Sequence, residues 1–196
     1  MLRIMEVHMK FEIVFGDITK IGTEAVVNAA NNQLKQGAGV CGAIFKAVGA
    51  IDLQNECNRI GYCKTGEAVL TSGYALCKYV IHTVGSIWKD GSDSEKALLK
   101  NCYTNSLLLA KQYNVKSIAF PLISAGIYGF PENEAEAVAV EAINEFQTGN
   151  RDSDMTVYLV KFNEANLLFP KMQTMPLKKR SLPLLSLMLG KSLKNK

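Results

Sequence analysis

A glycine-rich segment leads directly into a predicted helix near residue 40. In the stretch GAGVCGAIFKAVG, which spans residues 37–49, Gly37 and Gly39 precede the first helical turn and Cys41 stands at its start. Glycine lets the main chain approach a bulky anion, and the free N–H groups at a helix N-terminus attract negative charge. These residue types fit phosphate binding, but for this segment taken alone a tight turn that binds nothing is the more common interpretation.

Two other segments have a similar character. GDIT at residues 16–19 and ISAGIYGFP at residues 123–131 each follow a predicted strand, as does NAANNQLKQGAGV at residues 28–40. Ligands of open α/β sheets bind outside the carboxyl ends of the strands, so we expect the three segments to line one cleft. Amides of the third segment would form a second row opposite the glycine loop, and two such rows could hold a diphosphate.

The elements that must position these segments alternate between two patterns. Short apolar stretches alternate with longer helical ones, which predicts an α/β layered domain. Strands are predicted at residues 11–16, 23–30, 67–76, 78–85 and 155–162, with a further buried strand that opens into the glycine loop within 115–130. Helices are predicted at residues 40–48, 51–59, about 93–113, and 131–146, the last with proline just inside its start.

Composition restricts the class of protein. The 196 residues, 48% of them hydrophobic and 20% charged, are enough for one globular domain. The five cysteines form no CxxC pair, which argues against a disulfide framework and fits a reducing, cytoplasmic location. With two histidines and no metal-ligand spacing we expect no metal and no cofactor, and no stretch predicts a leader or a membrane span.

Charge is distributed unevenly along the chain. From Lys171 onward there are seven basic residues and no acidic one, which leaves 15 basic against 18 acidic residues in 1–170. A mildly acidic body gives little support to a nucleic-acid-binding face. We expect one domain over residues 1–170, followed by a basic and apolar extension over residues 171–196.

Six motifs together resemble one family. GDIT, VVNAAN, GAGV, TGEAVLTSGYAL, KYVIHTVG and ISAGIYGFP occur in an order and spacing similar to those of the macrodomain family, and specifically of its MacroD-type members. Those proteins bind ADP-ribose and remove it from proteins. The resemblance covers about residues 11–170, and it implies a three-layer α/β/α fold with a central twisted sheet that is mixed but mostly parallel.

The resemblance also implies a role for individual residues. Asp17 would accept a hydrogen bond from the adenine amine, the backbone N–H of Ile18 would help to read the ring, and Phe162 would pack against it. Asn31 would hold the distal ribose, and Tyr128 would lean over that sugar. The first phosphate loop would consist of Gly37, Ala38, Gly39 and Val40, and the second of Ser124, Ala125, Gly126, Ile127 and Tyr128. Without the resemblance, Asp17 could equally be a cap before Thr19, and Phe162 a core residue.

The expected catalytic residues are Asn31, Cys41 and Gly126, and here the chain departs from the MacroD-type pattern. Those hydrolases usually have aspartate where this chain has Cys41, and that carboxylate is credited with orienting or activating water. A thiol is mostly protonated at neutral pH and is a poor general base. The loss should slow hydrolysis by roughly 10²- to 10⁴-fold unless a phosphate of the ligand activates the water instead.

Three hypotheses about function follow. The favoured one is an enzyme, a monomer whose partners are ADP-ribose or mono-ADP-ribosylated proteins and which hydrolyses ADP-ribose from acidic side chains or related small adducts. The second is a reader that binds ADP-ribose without turnover. The third is a binder of single-stranded RNA that uses the basic extension, which predicts salt-sensitive binding that disappears without residues 171–196. His82 is expected to be a buried structural histidine rather than a partner of Cys41.

Overall fold

The computed structural model describes residues 9–162, so His8 and the predicted extension over residues 171–196 lie outside the described residues. The strands are β1 (Lys10–Phe15), β2 (Ala25–Ala29), β3 (Ala68–Ser72), β4 (Tyr79–Thr83), β5 (Ser117–Pro121) and β6 (Thr156–Lys161). The helices are α1 (Gly39–Val48), α2 (Ala50–Ile60), α3 (Asp93–Gln112) and α4 (Glu132–Gly149), and a short 3-10 helix covers Ile18–Lys20. The predicted strands and α-helices are confirmed, whereas the 3-10 helix was not anticipated. The domain boundary near residue 170 stays a prediction.

The six strands form one mixed sheet in the order β1-β6-β5-β2-β4-β3. Only β3 and β4 pair antiparallel; every other neighbouring pair in the sheet is parallel. The predicted mixed, mostly parallel sheet is therefore confirmed. As a consequence, the carboxyl ends of β1, β6, β5, β2 and β4 lie at the same edge.

Helices cover both faces of the sheet. Leu107 of α3 and Ile143 of α4 share one buried core with Val27 of β2. Phe45 of α1 shares a second core with Val26, the neighbour of Val27. Successive side chains of a strand point to opposite faces, so β2 contributes to both cores, as a central parallel strand must. The three-layer α/β/α arrangement is thus confirmed.

Two predicted boundaries are wrong. The strand predicted over residues 67–76 ends at Ser72, because the chain turns at Gly73, where a Cβ atom would lie 2.4 Å from the carbonyl oxygen of Cys77. Pro131, expected just inside the start of a helix, instead stands one position before it, and α4 continues past residue 146 to Gly149. Proline suits either position because neither requires its missing N–H.

His82 is buried in a polar network inside the sheet layer, which confirms its predicted structural character. Its Nδ1 atom lies 3.1 Å from Nδ2 of Asn28, and its Nε2 atom lies 2.9 Å from Oγ1 of Thr71. The Asn28 amide donates to Nδ1, so in the neutral ring Nε2–H donates to Thr71. Burial lowers the pKa of His82 from 6.5 to about 4. Within residues 9–162 no helix is long and apolar enough to cross a membrane.

The His82 network predicts a pH-dependent stability. In the unfolded chain the imidazole takes up a proton below its ordinary pKa, whereas in the folded protein it resists protonation down to about pH 4. The free energy of unfolding should therefore fall as the pH is lowered, by about 2 kcal/mol between about pH 7.5 and about pH 5. Urea unfolding of wild type and His82→Gln over this range isolates the effect, since the carboxylates are common to both. Equal pH dependence in the two proteins would contradict the assignment.

Candidate functional site

A cleft opens at the carboxyl edge of the sheet and begins with an outer cavity of about 510 Å³. Asp17 and Ile18 line it after β1, and Phe162 lines it directly after β6. Phe162 is 66% exposed, so it is not a core residue and its ring is available to a ligand. Val40 of α1 also lines this cavity.

An inner cavity of about 190 Å³ continues the cleft. Asn31, Cys41 and Tyr128 line it, together with the other residues of the two predicted phosphate loops except Ala125, which lines the outer cavity. The residues that line both cavities are Gly39, Val40, Leu122 and Gly126. The structure therefore brings together all of the site residues predicted from the sequence, each of which lines one cavity or the other. Their roles with a ligand remain predictions.

The first loop is held in place by contacts within its own turn. The N–H of Gly37 donates to Sγ of Cys41 at 3.3 Å, and Cys41 is buried. Gly39 opens α1 with φ of 59°, and no side chain caps the helix N-terminus. The first N–H groups of a helix have no intrahelical partner. The cleft is thus bordered by unused backbone donors at the positive end of the α1 dipole.

The second loop leaves another set of donors unused. Its fold is fixed by the N–H of Phe130, which donates to the carbonyl oxygen of Ser124, and by that of Gly129, which donates to Gly126. The N–H groups of Gly126, Ile127 and Tyr128 have no acceptor within residues 9–162. Ser124 adopts φ of 65°, and its hydroxyl is buried without a partner in the same described range. Two sets of unused donors therefore belong to residues that line one cleft, an arrangement suited to a diphosphate.

Asp17 serves as a cap in this structure. Its Oδ1 accepts hydrogen bonds from the N–H of Thr19 at 3.0 Å and from the Thr19 hydroxyl at 2.7 Å, and Oδ2 lies 3.5 Å from Nζ of Lys20. Partial burial alone would raise the pKa of Asp17, but the Thr19 hydrogen bonds and the Lys20 charge together lower it. The carboxylate is therefore ionised, and Oδ2 keeps lone pairs for a donor from a ligand. The capping role and the ligand role are compatible.

Asn31 is also engaged locally. Its Nδ2 donates to the carbonyl oxygen of Lys35 at 2.7 Å, and its Oδ1 accepts from the N–H of Lys35 at 3.1 Å. The side-chain amide thus closes the turn before the first phosphate loop. It retains one N–H and one lone pair, which is what a pair of neighbouring hydroxyl groups would require.

The inner cavity contains few ionisable groups. No carboxylate lines it, and its titratable groups are Cys41 and Tyr128. Partial burial, with a smaller contribution from Cys41, raises the pKa of Tyr128, so the phenol stays neutral and can donate a hydrogen bond. His82 does not line the cavity. Among residues 9–162 there is no group of three or more metal-ligating His, Cys, Asp or Glu side chains.

Two glycines that the sequence did not single out shape the site. A Cβ atom on Gly85 would lie 2.1 Å from Oγ of Ser124 and 2.8 Å from Cγ2 of Ile123. A Cβ atom on Gly42 would lie 2.7 Å from the carbonyl oxygen of Gly37. Gly85 follows β4 shortly after its carboxyl end, so the rule that located the three segments could also have located Gly85.

Comparison with known proteins agrees with this geometry. A family model described as Macro domain matches residues 27–139. The chain is 45% identical over 162 residues to O-acetyl-ADP-ribose deacetylase 1 of Pantoea vagans, covering 80% of this chain and 94% of the relative.

Solved structures are similar as well. The Oceanobacillus iheyensis macrodomain with ADP has a TM-score of 0.73 at 41% identity, covering 82% of this chain and 87% of the other. The Trypanosoma brucei macrodomain in complex with ADP-ribose has a TM-score of 0.70 at 34% identity, covering 82% and 66% respectively.

Replacing Gly85 by alanine tests whether its close approach to the second loop matters. The new methyl group would push Ser124 and Ile123 away, at a cost of about 1–3 kcal/mol in the free energy of unfolding. We also expect the affinity for ADP-ribose, the ligand that the resemblance implies, to fall at least about tenfold. Denaturant unfolding and titration calorimetry measure the two effects.

The matched control is Gly149→Ala near the end of α4, where a Cβ atom meets nothing within 4 Å. This variant should keep both the stability and the affinity of the wild type. Unchanged affinity in Gly85→Ala would show that the loop does not depend on this contact.

Proposed function

Since this chain belongs to the macrodomain family, we propose that it binds ADP-ribose in the cleft and hydrolyses the bond that joins the distal ribose to a protein side chain or a related small adduct. The observation that carries the proposal is the pair of loops with unused amides, whose residues Gly39, Val40 and Gly126 line both the outer cavity with Asp17 and the inner cavity with Asn31. A nucleotide sugar with a central diphosphate fits this order of a carboxylate, backbone amides and a side-chain amide along the cleft.

The adenosine half fits the outer cavity. Oδ2 of Asp17 would accept a hydrogen bond from the adenine amine while Oδ1 keeps its bonds to Thr19. The exposed ring of Phe162 would pack against one face of the base, a contact that does not depend on hydrogen bonding. The two contacts together favour adenine over bases that present a carbonyl at the same position.

The diphosphate and distal ribose fit the rest of the cleft. Amides of the two loops and the N-terminus of α1 would stabilise the phosphate charges. The distal ribose would then reach Asn31 and Tyr128, which line the inner cavity together. Asn31 can donate to one ribose hydroxyl and accept from its neighbour without releasing Lys35.

Hydrolysis would rely on the substrate for its base. Because no carboxylate lines the inner cavity, a water held against a phosphate oxygen would attack C1″ of the distal ribose. As the new C–O bond forms, the bond from C1″ to the side-chain oxygen breaks and its electron pair leaves with the carboxylate. The proton lost by the water passes to the phosphate and then to solvent. The carbon carries oxocarbenium character during this exchange.

In this proposal Cys41 positions the first loop and takes no part in the reaction itself. Its sulfur accepts the Gly37 N–H, and this bond holds the first loop against α1. The relative from Pantoea vagans, whose name describes deacetylation of O-acetyl-ADP-ribose, supports hydrolysis of an ADP-ribose ester. The missing carboxylate favours the second candidate function, a reader that binds ADP-ribose without turnover.

Exchanging the carboxylate of Asp17 tests adenine recognition separately from capping. Asp17→Asn keeps an oxygen for Thr19 but presents an NH₂ group to the adenine amine, so ADP-ribose affinity should fall about tenfold or more. Inosine diphosphate ribose has a carbonyl at that position. It should therefore bind Asp17→Asn more tightly than it binds the wild type. Titration calorimetry with both ligands measures this exchange.

Asp17→Ala is the companion variant, because it removes the cap as well and should weaken both ligands. If Asp17→Asn binds ADP-ribose as the wild type does while Asp17→Ala does not, the carboxylate is only a cap.

Position 41 separates the enzyme from the reader. On an auto-modified ADP-ribosyltransferase, Cys41→Asp should release label at least about ten times faster than the wild type, because a carboxylate can activate the water. Cys41→Ser is the control, since a hydroxyl can accept the Gly37 N–H without acting as a base. Saturable binding with the label intact in wild type and Cys41→Asp alike would establish the reader.

A further inference from the structure

A third cavity, of about 430 Å³, continues the cleft beyond the inner cavity. Gly85 and Tyr128 line both of these cavities. None of the residues that line the third cavity lines the outer cavity. The three cavities therefore follow one another in the order outer, inner and third, and the third begins where the distal ribose is proposed to end.

A buried carboxylate forms part of the wall of the third cavity. Glu95 of α3 is only 8% exposed, and its Oε2 accepts the N–H groups of Lys89 at 3.1 Å and Gly91 at 3.2 Å. Its other oxygen, Oε1, accepts no hydrogen bond within residues 9–162. Oε1 keeps access to the cavity although the residue as a whole is buried, so a ligand or water can donate a hydrogen bond to it there.

The side-chain amide of Asn32, which also lines the third cavity, adds a second acceptor. Nδ2 of Asn32 donates to the carbonyl oxygen of Cys63 at 2.9 Å and to Oγ1 of Thr65 at 3.4 Å. Its Oδ1 has no partner in the described part of the chain. The third cavity thus has two unpaired acceptors in a lining that also contains Lys89, Asp90 and several hydroxyl groups, whereas the inner cavity presents N–H donors. The two cavities suit different chemistry, because acceptors attract N–H groups and repel a phosphate.

We propose that the third cavity binds the peptide segment that carries ADP-ribose, with its backbone N–H groups donating to Glu95 and Asn32. This assignment rests on the proposed function, since it takes C1″ of the distal ribose to lie in the inner cavity. A small acyl group would leave most of a cavity of about 430 Å³ unfilled. The side chain of Ile87, 56% exposed at the lining, offers an apolar contact to the peptide.

The wall of this cavity is connected to the second phosphate loop. The N–H of Trp88 donates to the carbonyl oxygen of Tyr128 at 2.8 Å, and the Trp88 ring meets that of Phe130 edge to face at 4.6 Å. Glu95 holds the neighbouring amides of Lys89 and Gly91. The peptide site is therefore built on the same contacts that position the loop for the diphosphate.

A substitution that blocks the third cavity tests the assignment. The test measures binding affinity, so it does not require the protein to turn over a substrate. Ser94 is exposed on α3 and lines the third cavity, and Ser94→Trp would fill it. The probe is a short peptide that carries ADP-ribose on glutamine through an amide bond to C1″, an isostere of the glutamyl ester that resists hydrolysis. The wild type should bind this probe at least about tenfold more tightly than ADP-ribose.

We expect the substitution to remove the additional affinity for the probe and to leave the affinity for ADP-ribose unchanged. Ser94→Trp should bind ADP-ribose within about twofold of the wild type and should bind the probe no more tightly than ADP-ribose. Leu108→Trp is the control, because Leu108 is 50% exposed on the same helix and lines none of the three cavities. Leu108→Trp should still bind the probe at least about tenfold more tightly than ADP-ribose.

Two results would overturn the assignment: a wild type that binds probe and ADP-ribose equally, or a Ser94→Trp variant that keeps the preference for the probe. Failure of the wild type to bind ADP-ribose at all is a different result. That result would overturn the proposed function and, with it, the assignment of the third cavity. The titration of the wild type with ADP-ribose distinguishes it from the other two.

Discussion

Parallel hydrogen bonding between neighbouring strands decides where chemistry can occur in this fold. β1 pairs with β6, β6 with β5, β5 with β2 and β2 with β4, all in the same direction. Each of these strands therefore delivers its following residues to one edge: Asp17 after β1, Phe162 after β6, Ser124 after β5, Asn31 after β2 and Gly85 after β4. Residues far apart in the sequence therefore meet at this edge because of the strand pairing.

This constraint explains how much could be predicted from the sequence. Strand and helix periods locate the elements, and the rule that ligands bind at carboxyl ends locates the cleft. The end of β3 was missed because Tyr74 and Leu76 continue the apolar pattern, whereas the chain forms a local turn from Gly73 to Lys78. The closeness of Gly85 to Ser124 is a tertiary contact, and no local pattern encodes it.

The site residues also perform local tasks that their motifs do not reveal. Asp17 caps a 3-10 helix, Asn31 closes a turn onto Lys35, and Cys41 accepts the N–H of Gly37. Each group meets its own hydrogen-bonding requirement inside the protein and keeps spare capacity facing the cleft. These internal hydrogen bonds hold the side chains in place, so a ligand does not have to order them when it binds.

The environment of Trp88 has a practical consequence. It is the single tryptophan of the chain, it donates its backbone N–H to Tyr128, and its ring lies against Phe130. Indole emission depends on the polarity and packing around the ring, so the protein carries an intrinsic fluorophore beside its cleft. Any rearrangement of Tyr128 or Phe130 would therefore change the emission of the unlabelled protein, and the signal would come from one known position.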